Sequence, residues 1–265
     1  METARVGIFG GSGFYSFLEG VIERVVETPY GAPSAPLSFG RIGETSVAFL
    51  PRHGTRHELP PHRINYRANV WALKEVGVNR VIGPCAAGSL QESVRPGQFV
   101  VSDQLVDRTN GRRDTFYDGP ITTHVGFADP YCPELRQLAL KTSRDLGIDV
   151  HERGTVVTIQ GPRFSTRAES KWYQDAGWEV INMTQYPEAY LARELEMCYV
   201  NVALITDYDV GVEGESAAVS HEEVLRVFSE NNEKLRSLLF SLVPAIGEER
   251  NCPCASALAG ARLEA

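Results

Sequence analysis

The stretch that most restricts the possible folds covers residues 181–209, because it joins a helix to a strand that ends on charged residues. Residues 187–194 favour a helix, and Pro187 suits its first turn. Residues 199–206 form a mostly apolar run of strand length, and Asp207 and Asp209 end it. Because ligands of open α/β sheets bind beyond the carboxyl ends of the strands, we expect these carboxylates at a ligand site. A plain loop cap fits the same spacing equally well.

Comparable strand and helix patterns occur along the rest of the chain. Strands are predicted over residues 5–9, 46–50, 78–83, 99–103 and 154–160. Helices are predicted over residues 66–75, 133–146 and 165–174, and a long helix follows the capping box that Ser220 opens and ends at Pro244. Strands that alternate with helices in this way predict an α/β fold with a ligand site along one edge of its sheet.

The composition is that of a soluble globular protein with a large core. Of the 265 residues, 43% are hydrophobic and 23% are charged. The net charge of −8 argues against nucleic acid as a partner. Since the sequence has neither a membrane-spanning apolar run nor a secretion signal, we expect a cytoplasmic enzyme without a membrane partner. It is predicted to form one domain over residues 1–246, followed by a loose tail over residues 247–265.

The chain has five cysteines, namely Cys85, Cys132, Cys198, Cys252 and Cys254. An odd and scattered set argues against the disulfide framework of a secreted protein. Cys252 and Cys254 form a close pair that fits a redox clip, half of a metal site or a coincidence. Because no second cysteine or histidine pair has zinc-ligand spacing, the sequence argues against structural zinc.

Several predicted strands end in residues that can contact an anion. Ser12 lies in a glycine-rich turn that lacks the spacing of a dinucleotide or Walker loop, so a simple strand exit is the alternative. Arg52 and His53 are suited to a phosphate clamp, although surface solvation explains them as well. The small residues around Cys85 and Ala86 allow either close backbone approach to a ligand or plain tight packing. The long loop 108–132, which contains His124, is expected to be functional or interfacial.

Six segments in this order resemble one known family. They are GGSG, PRHG, CAAGSL, IQGPRFSTRAE, NMTQYPEAYLARE and TDYD. Together they resemble the trimeric purine nucleoside phosphorylases, most closely the methylthioadenosine phosphorylase branch, over about residues 5–246. The resemblance implies a single-domain α/β phosphorylase/hydrolase-like fold, in which helices flank a central mixed twisted β-sheet, and a homotrimer.

The resemblance also implies roles for individual residues. The phosphate site would consist of Ser12, Arg52, His53, Cys85, Ala86 and Thr184. Met183 would contact the ribose, and the purine would lie against Phe164, Ser165, Asp207 and Asp209. The 5′ substituent would meet His221 and Val224, and His124 would reach in from a neighbouring subunit.

Enzymes of this family cleave the N-glycosidic bond of a purine nucleoside with inorganic phosphate, and they need no metal or organic cofactor. The implied reaction is phosphorolysis of 5′-methylthioadenosine to adenine and 5-methylthioribose 1-phosphate, with adenosine as a further substrate. This places the enzyme in purine and methionine salvage. Asp207 would donate a proton to N7 of the departing purine if burial raised its pKa. A purine nucleoside phosphorylase that acts mainly on adenosine or inosine is the alternative.

Two residues depart from the methylthioadenosine phosphorylase pattern. Cys85 replaces a threonine, so one hydroxyl donor to phosphate is lost. His221 replaces an apolar residue and can donate to a 5′-hydroxyl, whereas a methylthio group favours an apolar wall. The 6-oxopurine branch carries Glu in place of Ser165 and Asn in place of Asp207. A carboxylate accepts from the amine of adenine but opposes the O6 acceptor of hypoxanthine, so we expect a 6-aminopurine preference.

Other readings remain open at the level of sequence. A nucleoside hydrolase would use water in place of phosphate, and a nucleotide-binding regulator would not turn substrate over at all. The Cys252–Cys254 pair is similar to a Cys-x-Cys pair of some heat-stable relatives, so a stabilising disulfide is possible, although a reducing cytoplasm opposes it.

Overall fold

The computed structural model describes residues 2–11, 18, 20–211 and 219–262, with the side chain of Glu223 excepted. In these residues one mixed β-sheet lies at the centre of the molecule and helices pack on its two faces. This confirms the predicted fold class.

The sheet has eleven strands in the described part of the chain. They are β1 (Val6–Gly10), β2 (Ile22–Arg24), β3 (Leu37–Ile42), β4 (Thr45–Pro51), β5 (Arg80–Ser89), β6 (Phe99–Val100), β7 (Gln104–Arg108), β8 (Val150–His151), β9 (Thr155–Ile159), β10 (Val180–Asn182) and β11 (Cys198–Asp207). The order along the main path is β2-β3-β4-β1-β5-β10-β9-β7, and β11 joins β5 to the short strands β6 and β8. β5 is therefore the strand at which the sheet branches.

The helices are α1 (Tyr66–Glu75), α2 (Pro133–Asp145), α3 (Arg167–Asp175), α4 (Gln185–Glu194) and α5 (His221–Ala245). Their ends follow the sequence signals: the Asn65 side chain accepts from the backbone N–H of Ala68, and Thr166 and Glu169 form a capping box at α3. α1 and α4 pack on one face of the sheet, and α2 and α5 pack on the other.

Strand β11 shows how the apolar run of the sequence is used. Tyr199 and Ala203 belong to the core on the α1/α4 side, whereas Val200 and Val202 belong to the core on the α2/α5 side. Both faces of this strand are buried, which explains why its sequence is continuously apolar rather than alternating.

Four neighbouring strands end at the same edge of the sheet. β1 is parallel to β4 and β5, and β5 is parallel to β11. A bulge in the β5–β11 ladder lies between Ile205 and Asp207. Because a bulge changes the direction of the side chains that follow it, it affects how Asp207 is presented at this edge.

Apart from shifts of a few residues at the ends of strands and helices, two sequence predictions differ from the structure. The strand predicted over residues 78–83 continues to Ser89 in β5, because Ala86 and Ala87 pair with Leu204 and Ile205 of β11. The segment after Ile246 was expected to be loose on account of its small and polar residues. Its described part packs against the body of the protein instead, because Cys254 is buried and Arg250 donates to the Glu196 carbonyl oxygen. A short 3₁₀ helix, Pro253–Ser256, lies within it.

Among the described helices, none combines the length and the apolar character that crossing a lipid bilayer requires.

Candidate active site

A cavity of about 330 Å³ opens at the sheet edge where β1, β4, β5 and β11 end. Its volume is in the range of small-molecule sites. The predicted site residues that line it are Arg52, His53, Cys85, Ala86, Phe164, Met183, Thr184, Asp207, Asp209, His221 and Val224. Residues from six separate parts of the sequence thus meet around one space.

Two predicted residues, Ser165 and His124, do not line this cavity, and a third lies outside the described residues. Ser12 lies outside the described residues, so its position is not part of the structure. Ser165 is beside Asp209 and lowers the pKa of that carboxyl, although it does not line the cavity. His124 lies in a separate surface depression with Tyr186 and Tyr190.

The guanidinium of Arg52 is held by a buried carboxylate that sequence reasoning did not select. Nε and Nη2 of Arg52 donate to the two carboxylate oxygens of Glu188 at 2.9 and 2.8 Å, and Nη1 donates to Pro84 O at 2.9 Å. Burial alone would lower the pKa of Arg52, but Glu188 raises it above its ordinary value. Arg52 is therefore a permanently charged group of fixed orientation.

This ion pair still leaves donors for a ligand. A guanidinium has five N–H groups, and three of them are used here, so two lack a hydrogen-bond partner among the described residues. A Cβ at Gly11 would lie 2.9 Å from Nη1 of Arg52, so the glycine at this position lets the backbone approach the guanidinium closely.

His53 is a neutral member of the cavity wall. Burial lowers the pKa of His53 to about 3. Its Nδ1 lies 2.9 Å from the Leu59 carbonyl oxygen, which can only accept, so Nδ1 carries the proton. In the neutral ring Nε2 is then a hydrogen-bond acceptor.

Cys85 is fixed by two buried amides. Asn182 Nδ2 and Asn201 Nδ2 donate to Cys85 Sγ at 3.4 and 3.3 Å, and burial raises the pKa of the thiol. Cys85 is therefore a protonated, weakly polar group in the wall, and it is not an activated nucleophile.

The Thr184 side chain is buried at the start of α4. It lines the cavity and does not cap the helix. The hydroxyl is therefore not committed to the backbone of α4 at this position.

The two carboxyls at the end of β11 have different surroundings. Thr206 Oγ1 donates to Asp207 Oδ2 and the Asp209 backbone N–H donates to Asp207 Oδ1, both at 2.7 Å. Each oxygen of the Asp207 carboxyl therefore accepts one short hydrogen bond. Asp209 is only 3% exposed, and burial raises its pKa, with a further contribution from the charge of Asp207. The sequence places the proton donor at Asp207, whereas Asp209 is the carboxyl with a raised pKa.

Three imidazoles lie in series along the cavity wall. The rings of His53 and His57 stack at 4.4 Å, and the His57 ring is 6.0 Å from that of His221. Burial lowers the pKa of His57, and His221 lowers it further. Val224, one helical turn after His221 on α5, adds an apolar surface.

Arg112 joins the loops around the cavity and was also missed. Its Nη2 donates to the carbonyl oxygens of Gln160 and Met183, both at 2.9 Å, and its Nη1 donates to the Tyr186 carbonyl oxygen. This gives part of the long loop 108–132 a definite role, because one side chain sets the spacing between the β9 exit and the β10–α4 connection.

The missed residues carry little signal in the sequence. In the sequence, Glu188 resembles an ordinary helix-forming residue and His57 an ordinary surface residue. Arg112 lies in a segment without periodicity. Each takes its role from contacts with distant parts of the chain: Glu188 is 136 residues from Arg52, and Arg112 is 71 residues from Met183.

Comparison with known proteins agrees with this geometry. The family model described as the phosphorylase superfamily matches residues 5–244. An S-methyl-5′-thioadenosine phosphorylase of Thermofilum pendens is 54% identical over 260 residues, covering 97% of this chain and 98% of the relative. A purine nucleoside phosphorylase of Streptomyces coelicolor is 53% identical over 267 residues, covering 97% of this chain and 95% of the relative.

The solved structures that resemble this chain are also phosphorylases. Methylthioadenosine phosphorylase from Schistosoma mansoni, solved in complex with adenine, superposes with a TM-score of 0.91 at 37% identity, covering 98% of this chain and 99% of that one. A methylthioadenosine phosphorylase from an antarctic soil metagenomic library superposes with a TM-score of 0.92 at 38% identity, covering 99% of this chain and 93% of that one. From its fold, its cavity and these relatives, the chain belongs to the phosphorylase superfamily.

Proposed function

We propose that this enzyme catalyses the phosphorolysis of 5′-methylthioadenosine to adenine and 5-methylthioribose 1-phosphate, and that it also accepts adenosine. The observation that carries the proposal is a single cavity that combines a charged guanidinium, Arg52, with a pair of carboxyls, Asp207 and Asp209. The former suits an anionic nucleophile, and the latter suit a purine leaving group. The names of the similar proteins support the same reaction.

Phosphate would be bound by donors with fixed positions. An anion needs several hydrogen-bond donors. The two remaining N–H groups of Arg52 and the hydroxyl of Thr184 would supply three of them. Nε2 of neutral His53 would accept the hydrogen of the phosphate hydroxyl, which orients the unprotonated oxygens away from it. Because Glu188 neutralises Arg52, the site would rely on hydrogen-bond geometry as much as on net positive charge.

The bond changes would then proceed with phosphate as the nucleophile. A phosphate oxygen attacks the anomeric carbon as the bond from that carbon to N9 breaks, and the bonding electrons pass to the purine. We propose that the Asp207–Asp209 pair supplies the proton for N7, with Asp207 against the base and Asp209 as the carboxyl more inclined to hold a proton. The reaction so written requires inorganic phosphate and no organic cofactor.

The base would be a 6-aminopurine. When one oxygen of the Asp207 carboxyl donates to N7, the other oxygen can accept from the exocyclic amine of adenine. Equal values of kcat/KM for adenosine and inosine would contradict this part of the proposal.

The 5′ end separates two candidate substrates. Val224 suits a methylthio group, while His221 and His57 can bond a 5′-hydroxyl. A purine nucleoside phosphorylase acting mainly on adenosine or inosine is therefore the second candidate function, and one close relative bears that name. The kcat/KM ratio of methylthioadenosine to adenosine decides between them, and a large adenosine excess would favour the second.

A homotrimer is part of the proposal, with His124 of one subunit completing the site of the next. The position of His124, outside the cavity of its own chain, is compatible with this role.

The central experiment measures release of free base from methylthioadenosine, adenosine and inosine in parallel, with and without phosphate. We expect rapid release from methylthioadenosine that depends on phosphate, with pentose 1-phosphate formed in equal amount. Release that continues undiminished without phosphate would indicate a hydrolase, and no release from any nucleoside would contradict enzymatic function.

A further inference from the structure

Four of the five cysteines come together at the end of the molecule away from the cavity. Cys132 precedes α2, Cys198 is the first residue of β11, and Cys252 and Cys254 belong to the C-terminal segment. Cys132, Cys198 and Cys254 are buried, and Cys252 is partly buried. The fold thus supplies the second cysteine pair that the sequence lacks, from residues 66 positions apart.

The spacing of the thiols is that of metal ligands. The four Sγ atoms all lie within 4.8 Å of one another, and Cys198 Sγ is 3.4 Å from Cys252 Sγ. Zn²⁺ with four thiolates is tetrahedral with Zn–S of about 2.3 Å, which places the sulfur atoms about 3.8 Å apart. Small rotations of the side chains would bring this cluster to that geometry.

The surroundings favour thiolates at this position. Cys132 is the N-cap of α2, where the helix dipole stabilises negative charge.

A buried arginine on the adjacent strand lies on the same side of the sheet. Arg80 is the register partner of Cys198, and both side chains therefore face the α2/α5 side with Ile82 and Val200. Arg80 is fully buried; its Nη2 donates to Glu249 O at 2.6 Å, while Nε and Nη1 have no partner among the described residues. Its ion pair with Glu134 is long, at 3.9 Å. Such a cation suits a site whose four thiolates and one Zn²⁺ carry a net charge of −2.

We propose that Cys132, Cys198, Cys252 and Cys254 bind one Zn²⁺ in a structural site that fastens the C-terminal segment to the core. Binding converts four thiols to thiolates and releases their protons to solvent. Four protein ligands leave no open coordination position, as in structural rather than catalytic zinc sites. β11 extends from Cys198 to Asp207, so the metal would lie about 30 Å from the carboxyl pair.

The first test measures metal content in the full-length protein purified with reductant and given one equivalent of ZnSO₄. We expect about one zinc per chain in the wild type and in Cys85→Ser, which alters the one cysteine outside the cluster. The double variant C252S/C254S should hold none. Equal zinc in the double variant and the wild type, or none in the wild type, would overturn the proposal.

Two further measurements test the zinc site without the double variant, in case that variant folds poorly. Wild-type protein loaded with Co²⁺ should show the intense visible bands of a tetrahedral cobalt thiolate, and Zn²⁺ should abolish them. A strong chelator should lower the Tm of the wild type and of Cys85→Ser equally. A wild-type mass two or four hydrogens below that of the reduced chain, in protein purified without reductant from the cytoplasm, would show that disulfides occupy these sulfurs and would refute the zinc site.

Discussion

At the scale of single residues, the Asp207–Asp209 pair combines two carboxyls with unequal surroundings. Asp207 accepts two short hydrogen bonds, whereas burial raises the pKa of Asp209. Neighbouring acids of this kind share a proton more readily than two exposed acids would. The pair therefore holds a proton at a higher pH than two isolated surface acids would.

The substitution Asp207→Ala should lower kcat for methylthioadenosine by about 10²–10⁴-fold, the usual contribution of a general acid. The measurement is steady-state phosphorolysis at saturating phosphate. Asp175→Ala, which alters an exposed carboxylate on α3, is the matched control and should retain wild-type turnover. Near-normal kcat in Asp207→Ala would remove this residue from the mechanism.

The Arg52–Glu188 pair leads to a second prediction. Glu188→Gln leaves the guanidinium buried and without its counter-charge, which typically costs about 3–5 kcal/mol when one partner of a buried pair is removed. We expect a lower Tm in phosphate-free buffer and a larger Tm increase on adding phosphate than in the wild type, because the anion replaces the lost charge. Thermal melts with and without phosphate measure both effects.

The control for that experiment is the exposed pair of Arg144 and Glu152. Exposed ion pairs contribute only about 0–1 kcal/mol, so Glu152→Gln should leave both the Tm and its response to phosphate nearly unchanged. If phosphate stabilised Glu188→Gln no more than the wild type, Arg52 would not be the phosphate ligand.

At the scale of secondary structure, β5 connects the core to the site. It pairs with β1, β10 and β11, and its last residues line the cavity. Its Gly83 leaves room for the Tyr199 hydroxyl, which donates to Glu188. The strand thus supports the carboxylate that orients Arg52.

We expect Gly83→Ala to reduce both stability and phosphate binding. A Cβ at this position would overlap the Tyr199 hydroxyl and displace it from Glu188. Overpacking of a tight core typically costs about 1–3 kcal/mol. The Tm and the KM for phosphate are the measurements, and Gly126→Ala, where a Cβ meets open space, is the control. Unchanged values for both quantities would show that the strand accommodates the methyl group.

The elements also show what the sequence can and cannot predict. Helix α1 was predicted with its observed bounds, because its apolar spacing and the boundary at residue 66 are local signals. The end of β5 was not predicted, because its small residues are typical of a loop and the strand β11 with which they pair is more than 100 residues away in the sequence.

Most of the predicted site residues lie around one cavity. Strand exits such as Arg52 and Asp207 are visible in the sequence, and the family resemblance implied others such as His221. Glu188, His57 and the cysteine cluster depend on long-range contacts and were missed.

At the scale of the whole molecule, His53 connects the site to acid stability. Burial lowers the pKa of His53 to about 3, from an ordinary value of about 6.5. Between these pH values the unfolded chain binds a proton that the native protein does not, so the free energy of unfolding falls as the pH is lowered through this window. The buried neutral imidazole is one source of acid lability.

The variant His53→Gln should therefore show a smaller loss of Tm than the wild type between about pH 6.5 and pH 4. His62→Gln, which alters an exposed histidine, is the control and should follow the wild-type curve. Asp209 acts in the opposite direction, because a carboxyl with a raised pKa stabilises the fold most when it is protonated. Because Asp209 is intact in both variants, the difference between their pH profiles reports the contribution of His53 alone. Identical slopes would show that His53 is accessible to protons in the native state.

The packed C-terminal segment has a practical consequence for anyone who shortens this protein. The region matched by the family model stops at residue 244, yet ordered contacts continue to Arg262. The Leu258 backbone N–H donates to the Glu196 carboxylate, and the Ala261 carbonyl oxygen accepts from the His124 backbone N–H. A gene trimmed at the similarity boundary would delete the partners of both groups and uncover the apolar surface around Cys198. Expression trials should keep residues 245–262 and attach any purification tag beyond them.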